Sequence, residues 1–385
     1  VNLVGYRYIG AKSKIIDEVL NGIGEIVGKE AHITDLMCGT AAVCAALREQ
    51  GYQVTANDIM TYSYHHARVV LHFTKPPEFE GAKEFISHYG GYREQISLFP
   101  PTPYIQMLNA LNNVPAIKGY FWQEFSMAGT PRNTDKPRNY FTPENAMKID
   151  GIRFHLAQLQ HNRTISDLEY SLLIHDLIMA SNDVANIAGT YGHYLSKTVA
   201  RASVPVELTP TALLLLDDKM KHTVLQGSAE EVAGKISCDL CYIDPPYMKR
   251  QYAANYHLLE TLARGDEPEA IGVSGLRPWR DQYSNFCTKT KIRDSFRRIF
   301  SDMDCSHFLV SYSEDGLLSI QDLVDLFSEF GVVTVTKFLN KRFKSNDSRL
   351  GSTVTEYLLH LNKKEAHMIS KELVPGLVEI KRRPS

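Results

Sequence analysis

No segment of this chain approaches the roughly 18 consecutive apolar residues that a membrane-crossing helix needs, which argues against a helical membrane protein. The first residues also lack a basic, then apolar, then small-residue pattern, so no export signal is read and the cytoplasm is the expected compartment. Cysteine is sparse: six residues scattered through apolar segments fit reduced, buried thiols better than a disulfide framework. Cys238 and Cys241 have CxxC spacing, but no second ligand pair lies near them, so no structural metal is expected. Neither sign of charge dominates. With 42 basic and 44 acidic residues the net charge is −2, which argues against indiscriminate binding to nucleic acid by counterion release. Any phosphate contact must come from local patches.

What is present begins with an α/β pattern. A chain of 385 residues exceeds one ordinary core and implies a large domain with an insertion, or two domains. Apolar spacing predicts a helix over 13–26, a strand at Ile33–Met37, an alanine-rich helix over Ala41–Glu49 and a strand at Gln53–Ala56, together a βαβ unit. Its turn, Asp35-Leu36-Met37-Cys38-Gly39-Thr40-Ala41, joins strand to helix through a glycine, where backbone approaches a ligand closely and helix amides face it. About twenty residues on, Asp58 ends the next strand, placed to accept hydrogen bonds from both hydroxyls of a ribose. A GxGxxG run is missing, which suits an adenosine ligand without a pyrophosphate; S-adenosylmethionine meets that description.

From Thr61 to about Leu225 the strand–helix alternation lapses, as for an insertion between two halves of a sheet. Ser166 to Asn182 is a long helical pattern there. Tyr120, Phe121 and Trp122, then Arg132, Lys136, Arg138, Tyr140 and Phe141, interleave rings with basic groups, which suits a nucleic-acid face and equally a small satellite core. Two basic runs lie further on, Lys289 to Arg298 and Lys337 to Arg349. Each is a candidate phosphate contact, against a solvated helix face for the first and a lysine-protected hairpin for the second.

Sheet signals return at Thr223–Leu225, Leu240–Ile243 and Phe308–Ser311, and Val332–Phe338 with Thr353–Leu361 predicts an antiparallel hairpin. The continuous apolar run Leu240–Ile243 is that of a strand covered on both faces. Asp244-Pro245-Pro246-Tyr247 follows at its carboxyl end, where ligands of open α/β sheets bind. A carboxylate, two rigidifying prolines and an aromatic make a device for holding a planar base that bears an amino group.

Together these motifs resemble the Dam-type, alpha-group adenine-specific DNA methyltransferases, and in particular their restriction–modification relatives. Tyr8-Ile9-Gly10-Ala11-Lys12-Ser13-Lys14 resembles the methionine-pocket motif, Asp35–Ala41 the glycine turn, Asn57-Asp58 the ribose acid and Asp244–Tyr247 the catalytic motif. Arg250-Gln251-Tyr252 with Asn255–Thr261 resembles the helix that follows, Phe308–Gly316 the next strand and Lys341-Arg342-Phe343-Lys344 the DNA-facing loop. The segments 139–142, 148–153 and 186–192 also look like family segments, with no contact assigned.

The resemblance implies a Rossmann-like class I methyltransferase sheet with a C-terminal antiparallel hairpin and a largely helical inserted domain. Residues 1–60 and 223–385 would form the catalytic domain and 61–222 the target-recognition insertion. Implied cofactor contacts are Tyr8, Lys12, Asp35, Cys38, Gly39, Thr40, Asn57, Asp58 and Ser228; implied DNA contacts are Arg138, Tyr252, Lys341, Arg342 and Lys344. S-adenosylmethionine without a metal, double-stranded DNA, a cognate endonuclease acting on the same site, no membrane and a nucleoid-associated activity complete the expectation. Two positions depart from the pattern. Ala41 stands where a second glycine is common, and Ser228 where an acid often meets the cofactor's adenine. An RNA-adenine methyltransferase and a catalytically silent nucleic-acid-binding subunit remain the alternatives.

Overall fold

The computed structural model describes residues 15–90, 100–217, 219–341, 353–364 and 379–382. Its strands are β1 (His32–Asp35), β2 (Gln53–Asp58), β3 (Thr223–Gln226), β4 (Ser237–Ile243), β5 (Asp304–Ser313), β6 (Val332–Lys341), β7 (Thr353–Asn362) and β8 (Glu379–Arg382). Its helices are α1 (Ile16–Ile26), α2 (Ala42–Glu49), α3 (Thr61–His72), α4 (Lys83–Tyr89), α5 (Pro103–Asn113), α6 (Tyr120–Phe125), α7 (Pro143–His161), α8 (Asp167–Asp183), α9 (Ala229–Val232), α10 (Tyr252–Asn255), α11 (His257–Arg264), α12 (Ile292–Asp302) and α13 (Ile320–Ser328). None of the described helices is long and apolar enough to cross a membrane.

The strands form one sheet in the order β3-β2-β1-β4-β5-β7-β6-β8. From β3 to β5 every neighbour is parallel, and β7 runs against both β5 and β6. This is the expected α/β sheet closed by an antiparallel hairpin. The hairpin is long because Val333 and Val335 alternate with half-buried neighbours, the period of a strand with one covered face. Leu240, Cys241, Tyr242 and Ile243 are at most 1% exposed, as a central strand covered on both faces requires. From β1 the chain moves outward to β2, and from β4 it moves the other way to β5. The strand order therefore reverses between β1 and β4, and their carboxyl ends border the crevice where such sheets take ligands.

The described residues fall in two compact units. One lies within Gly10–Ile59, Lys219–Gln251 and Tyr283–Ser385 and contains the sheet. Its core under α12 and α13 is aromatic: Phe327 meets the rings of Phe296 and Phe300 at 5.0 and 4.9 Å. All six cysteines are free thiols, five of them buried. The Lys289–Arg298 run is a solvated helix face, because Arg293 and Arg297 on α12 pair with Asp322 and Glu329, and Arg298 with Asp302.

The other unit lies within Met60–Asp218 and Tyr252–Gln282 and is helical. Residues 252–282, grouped with the sheet in the sequence reading, pack here, with α11 against α3 and α8. Helix α8 starts where its sequence signals: Ser166 and Glu169 form a reciprocal capping box. The N-terminus of α3 is held by Glu260 of α11, whose carboxylate accepts from the amides of Thr61 and Tyr62 at 2.9 and 3.3 Å.

Candidate active site

The site is assembled at the carboxyl ends of β2, β1 and β4. Strand β1 ends at Asp35, which lies beside Tyr242 of β4, and β2 ends at Asp58. The turn after β1 is pinned on both sides. The Leu36 amide donates to Tyr242 O at 3.0 Å and the Cys38 amide to Asn57 O at 2.9 Å. The Gly39 amide donates to Asp58 Oδ2 at 2.8 Å. Gly39 (φ 51°) and Ala41 (φ 60°) both adopt the left-handed conformation. That explains why glycine suits position 41: alanine there carries about 1–2 kcal/mol of backbone strain.

Three carboxylates gather at this edge. Asp35 is 1% exposed; its Oδ2 accepts a weak bond from the Cys44 thiol at 3.3 Å, and its Oδ1 is buried with no hydrogen-bond partner. Burial pushes the Asp35 carboxyl up to about 7, opposed by the Cys44 thiol and the Met37 amide and helped by the neighbouring Asp244 and Asp58. The Cys38 thiol bonds to Cys44, and burial with the nearby acids holds it up at about 11, so Cys38 is a neutral wall. Thr40 is buried between the two left-handed residues. An acid-rich sheet edge with an unsatisfied carboxylate oxygen suits a ligand bearing positive charge.

Asn57, expected as a cofactor contact, is tied into the fold through its amide nitrogen, and its Oδ1 is buried with no hydrogen-bond partner. It is 1% exposed, and its Nδ2 donates to Leu36 O at 3.0 Å and Gly227 O at 3.1 Å. It is a brace joining the ends of β1, β2 and β3. Ser228 caps α9, accepting from the Glu231 amide at 3.3 Å, and lies beside that brace.

Asp244, half-buried, follows β4 directly, with Pro245 buried and Pro246 and Tyr247 half-buried. Tyr247 rests on Tyr312 of β5, ring centroids 5.8 Å apart, and its carbonyl accepts from the Leu317 amide at 3.0 Å. The Tyr312 hydroxyl in turn accepts from the Leu318 amide at 3.1 Å. Gly316 is what lets that loop pass: a Cβ there would lie 2.2 Å from the Tyr312 ring. Tyr312, Gly316 and Cys44 support the site without having been singled out as site residues. The Ser311-Tyr312-Ser313 sequence is the signal for the first, whereas the other two become visible only with the packing.

The DNA-facing expectations divide. Arg138 must be corrected. It is fully buried, its Nη1 donates to Glu124 Oε2 at 2.7 Å, and its remaining donors go to backbone carbonyls of residues 270–273. An arginine so enclosed has nothing to offer a phosphate. Tyr120, Phe121, Tyr140 and Phe141 are likewise buried, so the rings of the interleaved stretch form a satellite core, while Arg132 and Lys136 are exposed. Tyr252 opens α10, half-buried and stacked on Tyr256 at 5.8 Å. Lys341 ends β6 opposite Thr353, and only its backbone is described. Tyr8, Lys12, Arg342 and Lys344 lie outside the described residues, as does most of the second basic run. Among the described residues no group of three or more His, Cys, Asp or Glu side chains is placed to hold a metal ion.

Residues 8–326 match the family model of the D12 class N6 adenine-specific DNA methyltransferases. The chain belongs to that family. Relatives of this D12-class chain include the modification methylase StsI of Streptococcus sanguinis, 29% identical over 362 residues, and the Type II methyltransferase M.FokI of Planomicrobium okeanokoites, 31% identical over 361. Each match covers 93% of this chain but 52% of the relative, so the chain spans about half the length of those proteins. The Type II methyltransferase M.NlaIII of Neisseria lactamica is 29% identical over 364 residues, covering 93% of this chain and 99% of its own. Both the glycine turn and the Asp244–Tyr247 segment fall inside the stretch that marks the D12 class.

Proposed function

We propose that this chain transfers a methyl group from S-adenosylmethionine to the exocyclic amino group of adenine in duplex DNA, as the modification activity of a restriction–modification system. The observation that carries this reading is the gathering of Asp35, Asp58 and Asp244 at one sheet edge, with Pro245, Pro246 and Tyr247 following the third. The D12-class match supports a DNA rather than an RNA substrate, and relatives named as modification methylases support the biological context. An intracellular enzyme acting on the same sequence as a partner endonuclease is the corresponding setting.

The residues fit the cofactor. Asp35 Oδ1 is the acceptor for its ammonium, Asp58 for its ribose hydroxyls, and Gly39 leaves room for close approach. Bound S-adenosylmethionine supplies a methyl on sulfonium, an activated leaving group. Adenine's amino nitrogen is a weak nucleophile because its lone pair is conjugated with the ring. The Asp244 carboxylate and a carbonyl of the Pro245-Pro246 segment accept hydrogen bonds from the two amino hydrogens, favouring the pyramidal nitrogen and aiming its lone pair. Alignment then supplies much of the acceleration. The base has to leave the stack to be reached, and Tyr247 offers it a ring worth about 1–3 kcal/mol.

Asp244→Ala is expected to abolish tritium transfer to unmethylated genomic DNA while calorimetry still registers cofactor binding. Retained transfer, or transfer to RNA in preference to DNA, would overturn the reading.

A further inference from the structure

Phe308, Val310 and Tyr312 alternate along β5 and share its buried face with Ile243 of β4. A phenylalanine would fill the last of these places as well as a tyrosine, so the Tyr312 hydroxyl serves something other than packing. The residue is 0% exposed, and a hydroxyl withdrawn from water is costly unless a partner is supplied. That partner comes from the loop after β5: the Leu318 amide donates to the hydroxyl at 3.1 Å. The preceding amide, of Leu317, donates to the carbonyl of Tyr247 at 3.0 Å. Two successive amides of one loop thus grip the hydroxyl of one tyrosine and the backbone of the other, while the two rings meet at 5.8 Å with planes 60° apart. Aromatic pairs favour such tilted contacts.

The loop is held at both ends. At the near end the Gly316 amide donates to Ser313 O at 3.0 Å, and a Cβ on Gly316 would lie 2.7 Å from the Tyr312 hydroxyl oxygen, so glycine is what lets the chain pass this close. At the far end Leu318 is 2% exposed in the core, and Ser319 with Asp322 forms a reciprocal capping box that opens α13. Asp322 pairs in turn with Arg293 of α12. Strand β5 is already flanked by β4 and β7, so this loop is not what holds the strand. What it holds is Tyr247, at the end of the Asp244–Tyr247 segment.

Resting on the methyl-transfer reading above, we propose that Tyr312 is a positioning residue for the adenine. Its ring sets the tilt of the Tyr247 ring and its hydroxyl fixes the loop that holds the Tyr247 carbonyl, so the platform stands in place before the base arrives. Alignment set in advance matters here, because a displacement of about 1 Å in the bound geometry can cost about a hundredfold in rate. Binding of DNA and of cofactor does not draw on the tilt of that ring, so the effect falls on kcat rather than on KM.

Tyr312→Leu removes ring and hydroxyl, and Tyr312→Phe removes the hydroxyl alone. Both are assayed by tritium transfer to unmethylated genomic DNA, with calorimetric cofactor binding as the check on folding, and 3-fluorotyrosine in place of Tyr247 reports the platform through its fluorine resonance. Tyr312→Leu is expected to lower kcat about tenfold or more while KM for DNA and cofactor affinity stay within about threefold. Tyr312→Phe is expected to lower kcat only about threefold, the loss of one hydrogen bond. The single fluorine resonance of the parent is expected to broaden or split in both. A Tyr312→Leu protein that binds cofactor and keeps the parent's kcat overturns the positioning role. So does a fluorine resonance unchanged in Tyr312→Phe, which decides the matter if Tyr312→Leu no longer binds cofactor. Either failure leaves the methyl-transfer reading standing, whereas a parent that transfers no methyl to DNA overturns both.

Discussion

Two buried carboxyl groups, one in each unit, are treated in opposite ways. Asp150 in the helical unit accepts from the amides of Phe121 at 2.9 Å and Trp122 at 2.8 Å and pairs with Arg153, and Glu124 is matched by Arg138. Asp35 in the sheet unit has a weak thiol donor, the Met37 amide nearby, two acidic neighbours and no cation among the causes of its shift. The first arrangement is complete as it stands and serves shape. The second is left short of a positive charge, which is what the proposed cofactor's ammonium would supply.

The largest test of that contrast is Arg138→Met. It strands the Glu124 carboxylate, and breaking a buried pair from one side costs about 3–5 kcal/mol. Urea denaturation is expected to show that loss, and Glu124→Gln added to it is expected to restore a good part. An unchanged midpoint would erase the distinction between the units.

Asp35→Asn is expected to do the reverse to the ligand-free protein. Because the Asp35 carboxyl sits at about 7 in the fold, above its ordinary 3.8, its contribution to stability is full below about 4 and is lost as pH rises through 7. The amide escapes that loss, so at pH 8 the variant should be more stable by about 1 kcal/mol or more. Cofactor affinity should fall about tenfold or more, and its rise between pH 6 and 8 should flatten, both readable by calorimetry. A variant that binds as the parent does at every pH would remove Asp35 from the site.

Ser228→Asp is a smaller perturbation. Aspartate caps a helix as well as serine, so α9 should persist. A carboxylate accepts more strongly than a hydroxyl, and cofactor binding is expected to tighten severalfold; calorimetry showing weakening would reject the assignment. Ala41→Gly should change least. It relieves roughly 1 kcal/mol of left-handed strain but gives up a buried methyl worth about 0.8 kcal/mol, leaving a net shift within about 1 kcal/mol by thermal melt.

Much of the sheet was legible because its signals are local. The apolar run before Asp244, the turn around Gly39, the acid at the end of β2 and the hairpin of β6 and β7 each announce themselves within a dozen residues. So does α8, through Ser166 and Glu169. What stayed hidden depends on partners distant in the chain. Arg138 reads as a surface cation because its Glu124 partner is unremarkable in sequence and its carbonyl acceptors come from 132 to 135 residues away. The bonds of Asn57 to Leu36 O and Gly227 O give no local sign, because the two loops that it joins meet only after β1, β2 and β3 align. Residues 252–282 follow the Asp244–Tyr247 segment closely, and only packing reveals that they complete the helical unit.

That last arrangement constrains how the helical unit could be exchanged between relatives. The helical unit is sewn from two separate stretches, and its central guanidinium lies on one while the oxygens it grips lie on the other. A chimera that transplants residues 61–222 alone would keep the pair of Arg138 with Glu124 but leave behind the carbonyls that its Nε and Nη2 hold, so an intact exchange has to carry 252–282 along as cargo.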